Sequence, residues 1–152
     1  MSKQNLYIPA FGALAAKLEP FALPLLRVIV GLVFIFHGYG KFMAVVSGGG
    51  LGGLAGMIEG AGLPFPIVFA HMAMVTEFFG GICLVLGLFT RLWAFFGAGM
   101  MFMIVIFVRG FDTIHYAQGG FEYDLTLATV LSVVFILGAG GFSVDSKLKK
   151  TF

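Results

Sequence analysis

The sequence predicts an all-α membrane protein: an antiparallel bundle of four transmembrane helices with a short interfacial helix in the first outer loop. Three observations lead there. The 152 residues are 60% apolar and only 11% charged, with a mean hydropathy of +1.06, a balance suited to lipid rather than water. Apolar windows of the about 17 to 25 residues that a membrane-crossing helix needs occur four times. Nineteen Phe and 23 Gly supply bulk for lipid and small residues for close helix contact.

The elements follow in order. Residues 1–22 form a cytoplasmic or interfacial N-terminal segment, in which Phe11 to Pro20 fits an amphipathic turn on the membrane or an unstructured tail. No apolar core followed by a small-residue cleavage site occurs there, so the first hydrophobic helix is expected to act as its own insertion signal. The first span runs from about Leu23 to Val46. Ser47 to Leu63 is too polar and glycine-rich to span, yet Leu51, Leu54, Met57 and Ile58 give it an apolar face, hence the interfacial helix. The second span runs from about Pro66 to Phe89 and the third from Leu92 to Val108, with only Thr90-Arg91 between them. So short a connection requires a tight hairpin, and Thr90 is placed to cap the third helix. After the polar stretch Arg109 to Asp124, the fourth span covers about Leu125 to Gly141. The bundle domain is then 23–141, and 142–152 is a basic cytoplasmic tail.

Orientation follows from the cations. Lys3, Lys17, Arg27, Arg91, Lys147, Lys149 and Lys150 fall on one side, Lys41 and Arg109 on the other. The positive-inside rule puts both termini in the cytoplasm.

Several function classes are set aside. Nine basic and seven acidic residues, scattered, make no nucleic-acid footprint. The single cysteine, Cys83, forms no internal disulfide or dithiol pair. The Gly48 to Gly53 run lacks the Gly-Lys-Ser/Thr of a phosphate cradle. No two histidines lie three or four apart on one helix, so no tight metal or haem site is expected, although His37, His71 and Glu77 could converge in space. Met100, Met101 and Met103 read as lipid-facing packing residues.

The polar residues inside the spans carry the functional information, since each ionisable group there costs roughly 2.5 to 3.5 kcal/mol to insert. Arg27, Gly31, Phe34, Gly38 and Lys41 recur every three or four residues and form one stripe, with His37 at its edge. That stripe faces the bundle interior, or else Arg27 and Lys41 snorkel to the interface. Glu77 falls at mid-span, at a depth similar to that of His37, which makes the two candidate partners and a candidate proton relay. Alternatively Glu77 is protonated and bonds a neighbouring helix for packing alone. His71 and Lys41 share a shallower depth. Arg109, Asp112, His115, Glu122 and Asp124 lie above them, although Glu122 and Asp124 also fit solvated first-turn charges. The ligand-binding candidates are His37, Lys41, His71, Glu77, Arg109 and Glu122, with Arg27 and Arg91 structural.

A longer pattern joins these residues: Arg27-x3-Gly31-x2-Phe34-x2-His37-Gly38-x2-Lys41, Gly53-Leu-Ala-Gly, Gly62-Leu-Pro, Glu77-x2-Gly80-Gly81, Gly87-Leu-Phe-Thr-Arg91 and Gly119-Gly-Phe-Glu122-Tyr. From about Leu25 to Asp145 the chain resembles the DoxX family of small bacterial membrane proteins. The resemblance implies a four-helix bundle in the bacterial plasma (inner) membrane. Through members that serve quinone-linked oxidoreductases, it also implies redox work with a partner subunit. The family motif falls on Arg27, His37, Lys41, Glu77, Arg91 and Glu122. No flavin, haem or metal motif is visible, so a quinone is the expected redox ligand and electrons would come from the partner chain. A non-catalytic anchor or assembly factor for a partner enzyme, and a small-molecule transporter, are the other readings; homo-oligomers fit each of them.

Overall fold

The computed structural model describes residues 8–148. Lys3, Lys149 and Lys150, three of the cations in the orientation argument, lie outside the described residues. Five α-helices occur among those described: α1 Pro9–Val46, α2 Gly52–Gly60, α3 Pro66–Leu86, α4 Thr90–Met103 and α5 Glu122–Leu137. A π-helical stretch, Ile104–Arg109, extends α4. Three helical stretches are long and apolar enough to cross a membrane: Pro9–Val46, Pro66–Leu86 and Thr90–Arg109. The 16 residues of α5 rise only about 24 Å at 1.5 Å per residue, short of the roughly 30 Å hydrocarbon layer. Its helix stops at Leu137 rather than Gly141 because Gly138 turns into a positive φ of 85°.

The boundaries of α1 also differ from expectation. Instead of a separate interfacial turn followed by a span from Leu23, one helix of 38 residues begins at Pro9, a proline at the first turn where its missing N–H costs nothing. Pro20 and Pro24 lie inside it. Packing, however, begins where the span was expected: the first buried residue of α1 is Arg27, followed by Val30, Gly31, Phe34 and Gly38. Before Arg27 none of its described residues is buried, although Phe21 stacks on Phe142 with ring centroids 5.2 Å apart.

α1 packs along α3, α3 against α4, α4 along α5, and α5 returns to α1. The residue pairs Arg27–Leu84 and Lys41–Glu77 show that α1 and α3 run antiparallel. The end of the molecule that carries Val46, Pro66, Arg109 and Glu122 is called the upper end here. Glycines set the α1–α3 spacing. A Cβ on Gly31 would come within 2.8 Å of the Gly81 carbonyl oxygen, one on Gly81 within 2.8 Å of the Gly31 carbonyl oxygen, and one on Gly38 would run into the Glu77–Phe78 backbone. Such backbone approach is how helices associate where water supplies no driving force. Phe34 then fills the centre with Val30, Leu84, Ala94, Ala98, Met101, Leu131 and Val134. A second cluster, of Leu51, Ala70 and Met74 with Leu54, Ala55 and Ile58 against it, seats α2 on α3.

The lower end is tied by polar groups, among them Arg27 and Arg91, which the sequence marks as structural. Arg27, only 2% exposed, does not snorkel. It donates to the carbonyls of Leu84 (2.8 Å) and Val85 (3.0 Å) in the last turn of α3, where carbonyls lack helical partners, and to that of Phe142 (2.6 Å) beyond α5. Thr90 does not cap α4. Its hydroxyl is buried without a partner, and the carboxylate of Asp145 instead accepts the N–H groups of Phe89 (2.8 Å) and Thr90 (2.9 Å). Phe89 sits in the left-handed region at φ 49°, costly for a residue with a side chain. Asp145 grips that strained corner. Arg91 links the start of α4 to the end of α5 by donating to the Phe135 carbonyl (3.2 Å).

Candidate functional site

Between the helices, towards the upper end, lies a cavity of about 560 Å³, within the range of small-molecule sites. Most of its wall is apolar, with Phe34, Met100, Met101 and Leu127 at depth and Leu54, Met57, Ile58 and Leu63 of α2 and its loop above. The methionines are therefore not lipid-facing as a group: Met101 is buried in the core, and Met100, Met101 and Met103 all border the cavity. The polar wall consists of His37, Lys41, Thr76, Glu77, Arg109, Tyr116, Tyr123 and Asp124.

Two ion pairs face this space. Glu77, 6% exposed, receives the Lys41 ammonium across the α1–α3 seam. The pairing is a consequence of the glycines: Gly38, one turn before Lys41, lies on the backbone of Glu77 and Phe78 and brings the two side chains within reach. On the opposite wall the Arg109 Nε donates to Asp124 (2.9 Å), itself 6% exposed. The π stretch has one more residue per turn than an α-helix, marked by the Gly110 N–H bonding back to Val105 (3.1 Å). This changes the direction in which Arg109 leaves α4 and fits the tendency of π turns to occur at functional sites. Arg109 also lies over the ring of Tyr116, 5.4 Å from its centroid, a cation–π contact. Tyr116 in turn packs on Tyr123 (5.2 Å) and Tyr123 on His37 (6.2 Å).

His37 does not pair with Glu77. Its Nδ1 bonds the Val33 carbonyl at 2.9 Å. A carbonyl can only accept, so Nδ1 carries the proton and Nε2 is the nitrogen left for another partner.

The sequence-derived candidates thus divide. His37, Lys41, Glu77 and Arg109 share one cavity. Glu122 lies outside it, accepting the Tyr116 N–H (2.9 Å) and standing 3.7 Å from His115 Nδ1. His71 lies on a separate groove on the face of α3 and α4, its Nδ1 bonded to the Ile67 carbonyl at 2.8 Å. Asp124, Tyr116 and Tyr123 complete the polar wall, although none stands among the six candidates. A signal for Asp124 was present: it precedes an apolar run by one residue, where an unpaired carboxylate at the membrane edge needs a cation, and Arg109 closes the preceding span. Nothing in the spacing singles out the tyrosines.

Buried ion pairs are poor stability devices, because desolvating both charges offsets most of their attraction and apolar replacements often do as well. Two ion pairs, each a buried carboxylate with a partly exposed cation, bordering one cavity of mixed polarity make a site equipped to hold a partly polar, partly apolar molecule.

The family model of DoxX matches residues 22–110, a stretch that includes Arg27, His37, Lys41, Glu77, Arg91 and Arg109. The chain is 34% identical over 144 residues to an uncharacterized protein of Haemophilus influenzae, covering 88% of this chain and 96% of that one. It is 30% identical over 137 residues to the inner membrane protein YphA of Escherichia coli, covering 85% and 91%. To the inner membrane protein YqjF of the same organism it is 28% identical over 141 residues, covering 88% and 97%. No solved structure matches the chain. With a family model matched over more than half its length and a relative of this identity aligned nearly end to end, the chain is a membrane protein of the DoxX family.

Proposed function

We propose that the cavity binds a lipophilic quinone and that the chain is the membrane subunit of a quinone-linked oxidoreductase whose electron-carrying centres reside on a partner chain. The observation that carries this reading is the combination of two ion pairs, Lys41–Glu77 and Arg109–Asp124, each a buried carboxylate with a partly exposed cation, with a largely apolar space of about 560 Å³. A quinone brings two carbonyl oxygens, and its reduction takes up two electrons and two protons. Lys41 and Arg109 are donors on opposite walls for two such oxygens, and Glu77 and Asp124 are the carboxylates beside them that can hold a proton in a dry site. His37 Nε2 is a further proton acceptor, and the rings of Tyr116 and Tyr123 offer flat surfaces to an aromatic head group.

The same reading has α5 as a fourth span, shortened and accommodated by local thinning. α2 lies at the outer interface, and both termini are in the cytoplasm of a bacterial plasma membrane. The excess of cations at the lower end and the likeness to two inner membrane proteins of Escherichia coli favour that placement.

The test is purification in mild detergent, extraction of bound lipids and native mass spectrometry. Retention of quinone in near-stoichiometric amount is expected, with a co-purifying oxidoreductase chain. Absence of quinone together with a stable protein partner would make the chain an anchor or assembly factor, and uptake of a polar solute into vesicles would make it a transporter. Either result ends the quinone reading.

A further inference from the structure

The ligand cavity has a neighbour. On the face shared by α3 and α4 lies an open groove of about 570 Å³, walled by Ile67, Val68, Val75 and Trp93 with His71 at its rim. Three residues, Met72, Thr76 and Phe96, border both spaces. Thr76 is buried, whereas Met72 and Phe96 are 46% and 41% exposed, so each has one side on the groove and the other on the inner cavity. They are partitions rather than core. A methionine is unbranched and adapts its shape readily, and Met72 is one of the residues that the two spaces share. Below it, the ring of Trp93 closes the seam, lying where a Cβ on Gly80 would come within 2.7 Å of it.

The geometry points to this groove as the seat of the ligand's hydrocarbon tail and the gap between α3 and α4 as the ligand's way in from the bilayer. The inference rests on the reading of the inner cavity as a quinone site and specifies that quinone as long-tailed. Three observations support it. The groove is largely apolar and opens on a face bearing exposed Ile67, Val68 and Val75, so it suits a chain of methylenes or isoprene units, and it holds neither of the two ion pairs that face the cavity. It adjoins the charged cavity at Met72, Thr76 and Phe96, which places a tail and a head group of one molecule in neighbouring spaces. Where α2 and its loop cover the cavity, the wall is apolar, formed by Leu54, Met57, Ile58 and Leu63, and that side favours no entry of a polar solute from water; the polar groups of the upper end, Arg109, Tyr116 and Asp124, line another side. His71 then flanks the tail and makes no contact with the head group.

The experiment uses the full chain in detergent and two probes, 2,3-dimethoxy-5-methyl-1,4-benzoquinone and its decyl derivative, with binding followed by isothermal titration calorimetry. The groove is filled by Val68→Phe with Val75→Phe, two positions that border the groove and not the cavity. The decyl probe is expected to bind the unmodified protein at least about tenfold more tightly than the tail-less one, since each buried methylene adds favourable transfer. In the double variant that advantage should vanish, while the tail-less probe binds as before, which also reports an intact fold. A decyl probe carrying a terminal diazirine should label 67–75 or 93–96. If the groove-filled variant binds both probes as the unmodified protein does, or if labelling falls on α1 or α5, the groove holds no tail and the quinone reading stands without it. If neither probe binds the unmodified protein, the quinone reading fails and the tail groove with it. If the double variant loses both probes, Val68→Ala with Val75→Ala decides: unchanged tail-less binding with weakened decyl binding sustains the inference, and unchanged binding of both overturns it.

Discussion

At the scale of single residues, Lys41 and Glu77 are held together although neither gains much from it. A carboxylate at 6% exposure has lost most of its hydration, and the attraction of its partner largely makes that good. Removing one member is therefore worse than removing both. Glu77→Ala is expected to lower stability by about 1–3 kcal/mol because it leaves the Lys41 ammonium without its acceptor. The double substitution Lys41→Met with Glu77→Met should recover much of that loss. Thermal melts in detergent measure both, and a double variant as unstable as the sum of the two single ones would contradict the argument. Function should follow a different order, with the double variant stable but unable to bind the quinone probe. Asp145 invites a second test. Because its carboxylate accepts the two N–H groups that begin α4, Asp145→Ala should lose about 1–2 kcal/mol, as for removal of a strong cap. Thr90→Ala should cost far less, since the Thr90 hydroxyl has no partner. Equal melting of the two variants would deny Asp145 its capping role.

Among the helices, the α1–α3 seam governs the site, because Gly31, Gly38 and Gly81 let two backbones approach until side chains from both reach the same cavity. A larger residue there acts on the pairing of Lys41 with Glu77 without touching either. Gly38→Val is expected to force the helices apart at a cost of about 1–3 kcal/mol and to weaken quinone binding as strongly as Glu77→Gln. Gly40 is the control: a Cβ there meets nothing within 4 Å. Gly40→Ala should leave binding unchanged and gain about 0.5–1 kcal/mol from the lower entropy of the unfolded chain. Comparable melting temperatures for Gly38→Val and Gly40→Ala would show that the seam tolerates separation. The π stretch Ile104–Arg109 plays the matching part on the other wall, turning Arg109 towards Asp124.

For the molecule as a whole, the decisive quantity is orientation. Among the described residues, Lys17, Arg27, Arg91 and Lys147 lie towards the lower end, against Lys41 and Arg109 above. Reporter fusions at the N- and C-termini should both read cytoplasmic, and a fusion in the α2 segment should read the opposite side. Activity of a periplasm-dependent reporter at either terminus would invert the molecule and with it the side from which a partner chain reaches the cavity. An even number of crossings is also at stake in α5, whose 16 residues span less than the layer they would cross. Termini on opposite sides would mean that α5 does not span. The tail after α5 joins the lower end through backbone bonds of Val144 to Leu86 and Asp145 to Gly87, so truncation before Val144 should destabilise the α3–α4 hairpin rather than merely shorten the chain.

The amino-acid sequence by itself determined the helical class, the membrane-length apolar stretches and the stripe Arg27, Gly31, Phe34, Gly38, because hydropathy and the 3.6-residue period are local properties that survive whatever the helices pack against. It also marked His37, Lys41, Glu77 and Arg109 as costly in a membrane and so in need of partners. Which partners they have was decided only by tertiary structure. Matching helix depths made His37 the natural neighbour of Glu77, yet the rotation of α1 about its axis, fixed by glycines against α3, presents Lys41 instead. The same holds for Asp124 facing Arg109, for Arg27 on the carbonyls at the end of α3, and for Asp145 replacing Thr90 as the cap across a separation of 55 residues. Depth can be counted along one helix, but azimuth depends on how two helices meet, and that is settled by packing between residues far apart in the chain.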